Sequence, residues 1–148
     1  MLCIFYLLLG GKVEPGETPL QAAQRELQEE SGVSAPLEHA GSLFFLSEGA
    51  EWAFQIEIYR AESYEGTITE SDEMRPEWFS VPSSSVPDSV VMEGKALPIP
   101  FSEMWETDSV WLPLLIAKKK FVGRADFTKT GEAFGLYRWW YAVSEDTA

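Results

Sequence analysis

Apolar side chains recur at helical spacing between residues 18 and 31, which predicts an amphipathic helix in this segment. Leu20, Ala23 and Leu27 form one stripe, wide enough to dock the helix on a sheet. The helix ends carry an N-cap, a first-turn proline, a capping-box partner and a glycine suited to a left-handed C-terminus: Thr18, Pro19, Gln21 and Gly32.

The remaining apolar runs are short and several alternate with period two, which is typical of strands. The predicted strands are residues 1–9, 43–46, 52–60, 77–81, 121–127 and 135–143. The second and third should form an antiparallel hairpin, and the last two a terminal hairpin. A second helix is predicted over 109–120, and the Ser- and Pro-rich residues 82–100 form a surface loop. This pattern predicts one α/β layered domain over 1–148.

Three carboxylates gather on one arc of the predicted helix, which points to metal chemistry. Glu26, Glu29 and Glu30 lie within roughly 100° of each other, near the helix end where the dipole disfavours anions. Arg25 can pair with Glu29 and offset part of one charge. Hard carboxylate oxygens suit Mg²⁺ or Mn²⁺, and a solvated acidic surface is the alternative interpretation.

The composition of the chain limits the classes of molecule that it can bind. The 148 residues carry a formal net charge of −13, which argues against general nucleic-acid binding but allows a phosphate-bearing small molecule beside a metal. The single cysteine, Cys3, excludes an internal disulfide and fits a reducing compartment. Residues 1–9 are too short to span a bilayer and have no basic flank. We therefore expect a protein away from membranes and located in the cytoplasm, with the nucleus and the mitochondrial matrix as alternatives. If fully folded, it should be a monomer.

The helix and the loop before it resemble the Nudix box, in which nine positions are fixed at set spacing. All nine are filled here, by Gly11, Glu17, Arg25, Glu26, Leu27, Glu29, Glu30, Gly32 and Val33. The resemblance implies a mixed sheet sandwiched between helices. It also implies hydrolysis of a nucleoside diphosphate linked to another moiety.

The resemblance also assigns roles within the box. Glu26, Glu29 and Glu30 would be metal ligands, together with the carbonyl of Gly10. Arg25 would orient the glutamates and Glu17 would brace the loop and helix. Glu29 would act as general base on water, beside Glu30 and Arg25 as catalytic residues. The start of the box would contact substrate through Gly10, Gly11 and Lys12.

Residues 70–79 and 100–115 resemble one branch of that family, the animal hydrolases of oxidised purine nucleoside triphosphates. Such enzymes release a monophosphate and pyrophosphate from 8-oxo-dGTP and 2-hydroxy-dATP. The resemblance implies a further metal ligand, Glu73. It also implies a base pocket whose members would be Phe45, Phe54, Trp105, Thr107, Asp108 and Trp111, with Trp105 stacking on the purine.

The chain departs from this branch at three places. It has fewer residues before the box, so we expect the usual first strand to be missing and the apolar run 4–9 to promote self-association. Thr107 stands where a second aspartate is usual. Residues 82–99 are longer than the corresponding connection, as a surface insertion. Two alternatives stay open: a Nudix hydrolase of another nucleotide, such as a methylated purine nucleotide or a nucleoside diphosphate sugar, and a catalytically silent Nudix-fold binding protein.

Overall fold

A computed structural model describes residues 12–72, 75, 77–80, 97–131 and 133–144. The chain divides into two compact units. The first unit comprises Met1–His39 and Tyr59–Ile99, and the second comprises Ala40–Ile58 and Pro100–Ala148. The expected strand over residues 1–9 lies outside the described residues.

The first unit is organised by helix α1, Pro19–Ser31, whose predicted ends are confirmed. The Thr18 hydroxyl accepts a hydrogen bond from the Gln21 backbone N–H at 3.3 Å, and the Gln21 side chain accepts one from the Thr18 backbone N–H at 2.9 Å. Gly32 ends the helix in the left-handed region, at φ 73°. Local residues therefore provide acceptors for two backbone N–H groups at the start of the helix. A local glycine also reverses the chain at its end.

The buried face of α1 differs from the predicted stripe. Ala22, Leu27 and Ser31 are buried, whereas Leu20 is 38% exposed. Only Leu27 belongs to both sets, so the expectation that Leu20 docks the helix is wrong. Leu27 and Ser31 are spaced at a helical interval along α1, whereas Ala22 lies on the other side of the helix, so the buried positions are not those of the predicted stripe.

These short strands are β1, Val33–Ser34, and β4, Glu65–Gly66, which pair antiparallel. Gly66 adopts φ 106°, and a Cβ there would lie 2.8 Å from the carbonyl oxygen of Gly32. Glycine at position 66 therefore permits the close approach that anchors the end of α1.

The second unit contains most of a four-stranded sheet in the order β3–β2–β7–β8. Its strands are β2, Glu38–Ser47; β3, Ala53–Arg60; β7, Phe121–Thr130; and β8, Ala133–Val143. β2 and β7 run parallel, whereas β7 and β8 run antiparallel with a register shift between Asp126 and Phe127. The predicted terminal hairpin, the mixed sheet and the α/β class are thus confirmed.

Helix α2, Asp108–Ile116, packs on β7 and is shorter than the predicted 109–120. Lys118 has φ 57°, a left-handed conformation that cannot continue a helix, so the three lysines follow α2 instead of forming its last turn. Leu112 of α2 and Leu43 and Ala125 of the sheet are buried to within 1% exposure and form the centre of this unit.

Two further expectations change in the first unit. The predicted strand 77–81 is reduced to β5, Phe79–Ser80, which pairs parallel with β6, Leu97–Pro98. The end of the predicted loop 82–100 therefore forms a short strand, because its backbone finds a partner that sequence pattern could not indicate.

None of the helices in the described ranges is long and apolar enough to cross a membrane.

Candidate active site

One arginine ties together the carboxylates of the loop–helix segment in the first unit. Arg25 donates to both oxygens of Glu17, from Nε at 3.1 Å and from Nη2 at 3.2 Å. Its Nη1 donates to Glu26 at 2.6 Å and to Glu29 at 3.1 Å. Arg25 therefore fixes the loop carboxylate with a planar fork and two helix carboxylates with its remaining nitrogen.

The charges in this network stabilise one another. The hydrogen bond from Arg25 lowers the pKa of Glu17, and the backbone N–H of Glu14 adds to that effect. The hydrogen bonds that Arg25 donates to Glu17, and then the one to Glu26, raise the pKa of Arg25. Glu17 is thus held anionic and Arg25 cationic, so the loop is bound to the helix by fixed charges.

The predicted site residues of this segment are unequally accessible. The Glu26 side chain is 16% exposed and that of Glu29 is 60% exposed, while Glu30 is half-buried. Lys12 is exposed. Three predicted residues lie outside the described part of the chain: Gly10, Gly11 and Glu73. The described residues therefore bring Glu17, Arg25, Glu26 and Glu29 together. The predicted set of metal ligands also includes residues outside the described part of the chain.

The chemistry of the donors fits a hard divalent cation. Residues 12–31 carry five glutamates against Lys12 and Arg25, so oxygen donors and negative charge are both in excess. Among the described residues, no three acidic, histidine or cysteine side chains converge closely enough to hold a metal. Glu26 and Glu29 are both hydrogen-bonded to the guanidinium of Arg25.

Aromatic rings form a partly open wall in the second unit. Phe127 of β7 lies edge-on to Phe45 of β2, with ring centroids 5.8 Å apart, and edge-on to Trp105 at 6.4 Å. Trp105 is 61% exposed, so its face is available for stacking. Phe54 is also exposed and packs on Trp52 at 4.5 Å.

Asp108 lies at the start of α2 and both of its oxygens accept hydrogen bonds. Oδ1 accepts from the Trp111 indole N–H at 2.9 Å, and Oδ2 accepts from the Trp105 backbone N–H at 3.2 Å. Burial raises the pKa of Asp108, and these two bonds offset part of that rise. The direction is the one expected for a desolvated carboxyl group.

Trp111 does not stand in an open pocket. It is 4% exposed and packs on Phe121 with ring centroids 6.0 Å apart, so it has no free face to offer a ligand. The expectation of a pocket-lining ring is corrected: Trp111 belongs to the core, where its indole N–H donates to Asp108.

Two buried hydroxyls lie beside Asp108. Thr107, immediately before α2, is 1% exposed, and its Oγ1 makes no capping bond. This oxygen and the phenol oxygen of Tyr141 on β8 are both buried, and the two hydroxyls interact with each other. Burial raises the pKa of the Tyr141 phenol, and the nearby Thr107 hydroxyl offsets part of that rise.

Sequence reasoning missed Phe127 and Tyr141. The alternation of β7 placed Phe127 on a strand face, but its contact with Phe45 depends on the parallel register of β2 and β7. Tyr141 is paired with Gly123, the small residue that leaves room for its ring. The glycine within a strand pattern was the available signal for a close approach.

A capped loop–helix with carboxylates held by one arginine, in a chain with a mixed sheet, is the arrangement of a Nudix protein. The NUDIX domain matches residues 5–95, and the chain belongs to this family. Over 119 residues it is 43% identical to the oxidized purine nucleoside triphosphate hydrolase of Danio rerio and 41% identical to that of Mus musculus. Each match covers 80% of this chain and 67% of the relative. Nudix hydrolases generally use divalent metal ions.

Proposed function

We propose that this protein hydrolyses oxidised purine nucleoside triphosphates to monophosphate and pyrophosphate, with Mg²⁺ as cofactor, and so removes damaged nucleotides from the precursor pool. The observation that carries the proposal is the Arg25 network, which sets Glu17, Glu26 and Glu29 around one guanidinium at the spacing of the family motif. The relatives named for this activity support the choice of substrate.

The residues of the acidic segment have distinct tasks in this proposal. Glu26, Glu29 and Glu30 supply the oxygen ligands, with Gly10 and Glu73 as further predicted ligands. When bound, Mg²⁺ supplies charge neutralisation on phosphate oxygens and activation of water. Arg25 keeps Glu26 and Glu29 oriented. Glu29 is the most exposed of the measured carboxylates, which suits a general base that accepts a proton from water.

The second unit supplies the features for holding a purine. Trp105 presents an exposed ring for stacking, and Phe45 and Phe127 support it from the sheet. Asp108, buried and close to neutral N–H donors, supplies a polar group for the base edge. Comparing nucleotides that differ in the base tests these assignments.

The test is a panel of nucleotides assayed for release of the nucleoside monophosphate, the product common to all of them, with Mg²⁺ or with excess chelator. The panel includes 8-oxo-dGTP, 2-hydroxy-dATP, dGTP, a methylated purine triphosphate and a nucleoside diphosphate sugar. We expect the two oxidised purines to give the highest kcat/KM. Preference for another nucleotide would replace the substrate assignment, and absence of turnover on the whole panel would favour the silent binding protein.

The same assay tests the acidic residues. Glu29→Gln and Glu30→Gln should each lower kcat by about 10²-fold or more, because they remove an anionic oxygen needed for metal binding or proton transfer. Glu51→Gln removes an exposed carboxylate from a turn in the second unit and is the matched control. Circular dichroism should show the same fold in all three variants. Turnover close to wild type in both Glu29→Gln and Glu30→Gln would sink the assignment.

A further inference from the structure

Trp52 and Phe54 form an exposed aromatic pair at the start of β3. Their rings meet edge-on with centroids 4.5 Å apart, and Trp52 is 62% exposed. Most of the apolar surface of this indole therefore lies in water, where a stacked ligand would cover it favourably. The proposed function assigns a ligand contact to Trp105 and none to Trp52.

This pair lies on the same face of the sheet as Phe45 and Phe127. β2 and β3 are neighbours, and the Ser42 hydroxyl donates to Glu57 across them at 2.6 Å, which places these two side chains on one face. Side chains alternate along a strand, so Phe45 and Phe54, each three residues away, point to the opposite face. The ring of Phe127 contacts that of Phe45 and so belongs to this second face as well.

The aromatic side chains therefore form a row across three neighbouring strands. Its order is Trp52 and Phe54 at β3, Phe45 on β2, Phe127 on β7, and Trp105, whose ring contacts that of Phe127. Adjacent strands lie about 4.8 Å apart, so the row from β3 to β7 spans roughly 10 Å. Phe45 and Phe127 in the middle are half-buried, whereas the two tryptophans at the ends are exposed. A planar ligand held at the Trp105 end meets Trp52 only if it is long enough.

We propose that Trp52 is a specificity-determining residue that contacts the base at the opposite end of this row from Trp105 and selects purines over pyrimidines by size. This inference rests on the proposed function. A purine has a longer planar surface than a pyrimidine, so only the purine covers the indole of Trp52 when the base stacks on Trp105. Stacking is tolerant of hydrogen-bonding groups, because every base has a π-face. Trp52 therefore leaves the choice between oxidised and normal purines to other residues.

The test compares Trp52→Ala with the wild-type protein on 8-oxo-dGTP, dGTP and dTTP. We expect kcat/KM for both purines to fall by about 5- to 150-fold, mainly through KM, which is the range for loss of one base–aromatic contact. The value for dTTP should stay close to that of the wild-type protein. The preference for purine over pyrimidine then falls, whereas the ratio of 8-oxo-dGTP to dGTP is unchanged.

Two further variants separate stacking from packing against Phe54. Trp52→Phe keeps a flat ring and should retain most of the activity on purines. Trp52→Leu keeps an apolar contact without a flat ring and should behave as Trp52→Ala. Isothermal titration calorimetry with 8-oxo-dGMP, dGMP and dTMP repeats the comparison without turnover, and the affinities should follow the same order.

Trp140→Ala is the matched control. Trp140 is 51% exposed in the same unit and pairs with Arg124. Arg124 lies three residues before Phe127 on β7, so this pair occupies the face of the sheet opposite the row. Trp140→Ala should leave kcat/KM unchanged for every nucleotide. Thermal unfolding of all the variants should show that each is folded, since both tryptophans are largely exposed.

The inference and the proposed function fail differently. Unchanged purine kinetics in Trp52→Ala, or an equal loss for purines and dTTP, would refute the role of Trp52 while the preference for oxidised purines stands. Equal activity of Trp52→Phe and Trp52→Leu would refute stacking. The proposed function fails separately, if the wild-type protein neither hydrolyses nor binds oxidised purine nucleotides in preference to normal ones.

Discussion

Gly123 lies at the centre of the sheet, and its replacement by alanine tests the packing around Tyr141. Gly123 and Tyr141 are direct partners across β7 and β8. A Cβ at position 123 would lie 2.3 Å and 2.6 Å from two ring carbons of Tyr141 and 3.0 Å from a methyl group of Leu43. The ring cannot move freely, because it also contacts Phe121 and Trp139. We expect an overpacking cost of about 1–3 kcal/mol.

Alanine also stabilises relative to glycine through the unfolded chain, by about 0.4–1 kcal/mol. Gly135→Ala isolates that effect, because Gly135 lies on the partner strand with no atom within 4 Å of the added Cβ. The difference in unfolding free energy between Gly123→Ala and Gly135→Ala is therefore the overpacking cost alone. Gly123→Ala should unfold at lower urea concentration than wild type, and Gly135→Ala at equal or higher concentration.

Urea unfolding followed by tryptophan fluorescence measures both changes. A double-mutant cycle with Tyr141→Ala identifies the clash, since removal of the ring should abolish most of the cost of Gly123→Ala. If Gly123→Ala is as stable as Gly135→Ala, or if its cost persists without the Tyr141 ring, the described packing is refuted.

Two further outcomes are expected for stability. Thr18→Ala removes the side-chain acceptor of the capping box and should lower the free energy of unfolding in urea by about 0.5–2 kcal/mol. No change would mean that the hydrogen bond from the Gln21 N–H to Thr18, at 3.3 Å, does not stabilise the protein. Asp108 and Asp126 should change the free energy of unfolding with pH in opposite directions. Burial raises the pKa of Asp108, so its contribution falls as pH rises from its unfolded pKa through its folded one, and Asp108→Asn should remove that fall. Arg124 and then Arg138 lower the pKa of Asp126, so its contribution is lost as pH falls through the folded pKa, and Asp126→Asn should flatten the acid limb. Equal slopes in both variants, measured by urea unfolding from about pH 3 to 8, would contradict the two assignments.

The first unit was largely predictable because its interactions are local. The capping box joins residues three apart, and the Arg25 network joins residues within one loop and helix. Residue type and spacing therefore suffice to propose the capping box and the pair of Arg25 with Glu29, whereas the part played by Glu17 came from the family resemblance. The buried face of α1 could not be derived this way, since Ala22 or Leu20 is buried according to where the partner strands lie.

The second unit was predictable in its elements and not in its contacts. Alternation indicated the terminal hairpin, but the parallel register of β2 and β7 decides that Phe45 meets Phe127. The length of α2 was overestimated because three lysines suit the negative end of a helix. The backbone of Lys118 is left-handed instead, and no propensity of lysine indicates that conformation.

Asp108 and Asp126 show why a carboxylate cannot be assigned a role from its type. Both belong to the second unit, and both accept two or more hydrogen bonds. The donors to Asp108 are an indole and a backbone N–H, which carry no net charge, so desolvation prevails and the pKa of Asp108 is raised. The donors to Asp126 are the guanidinium groups of Arg124 and Arg138, so its anion is favoured. The charge on the donors decides the outcome, and the donors become known only once the strands and α2 have been placed. A desolvated carboxyl group is therefore distinguished from a structural ion pair by its neighbours, and the spacing of Asp108 and Trp111 in the sequence indicated only one of those neighbours.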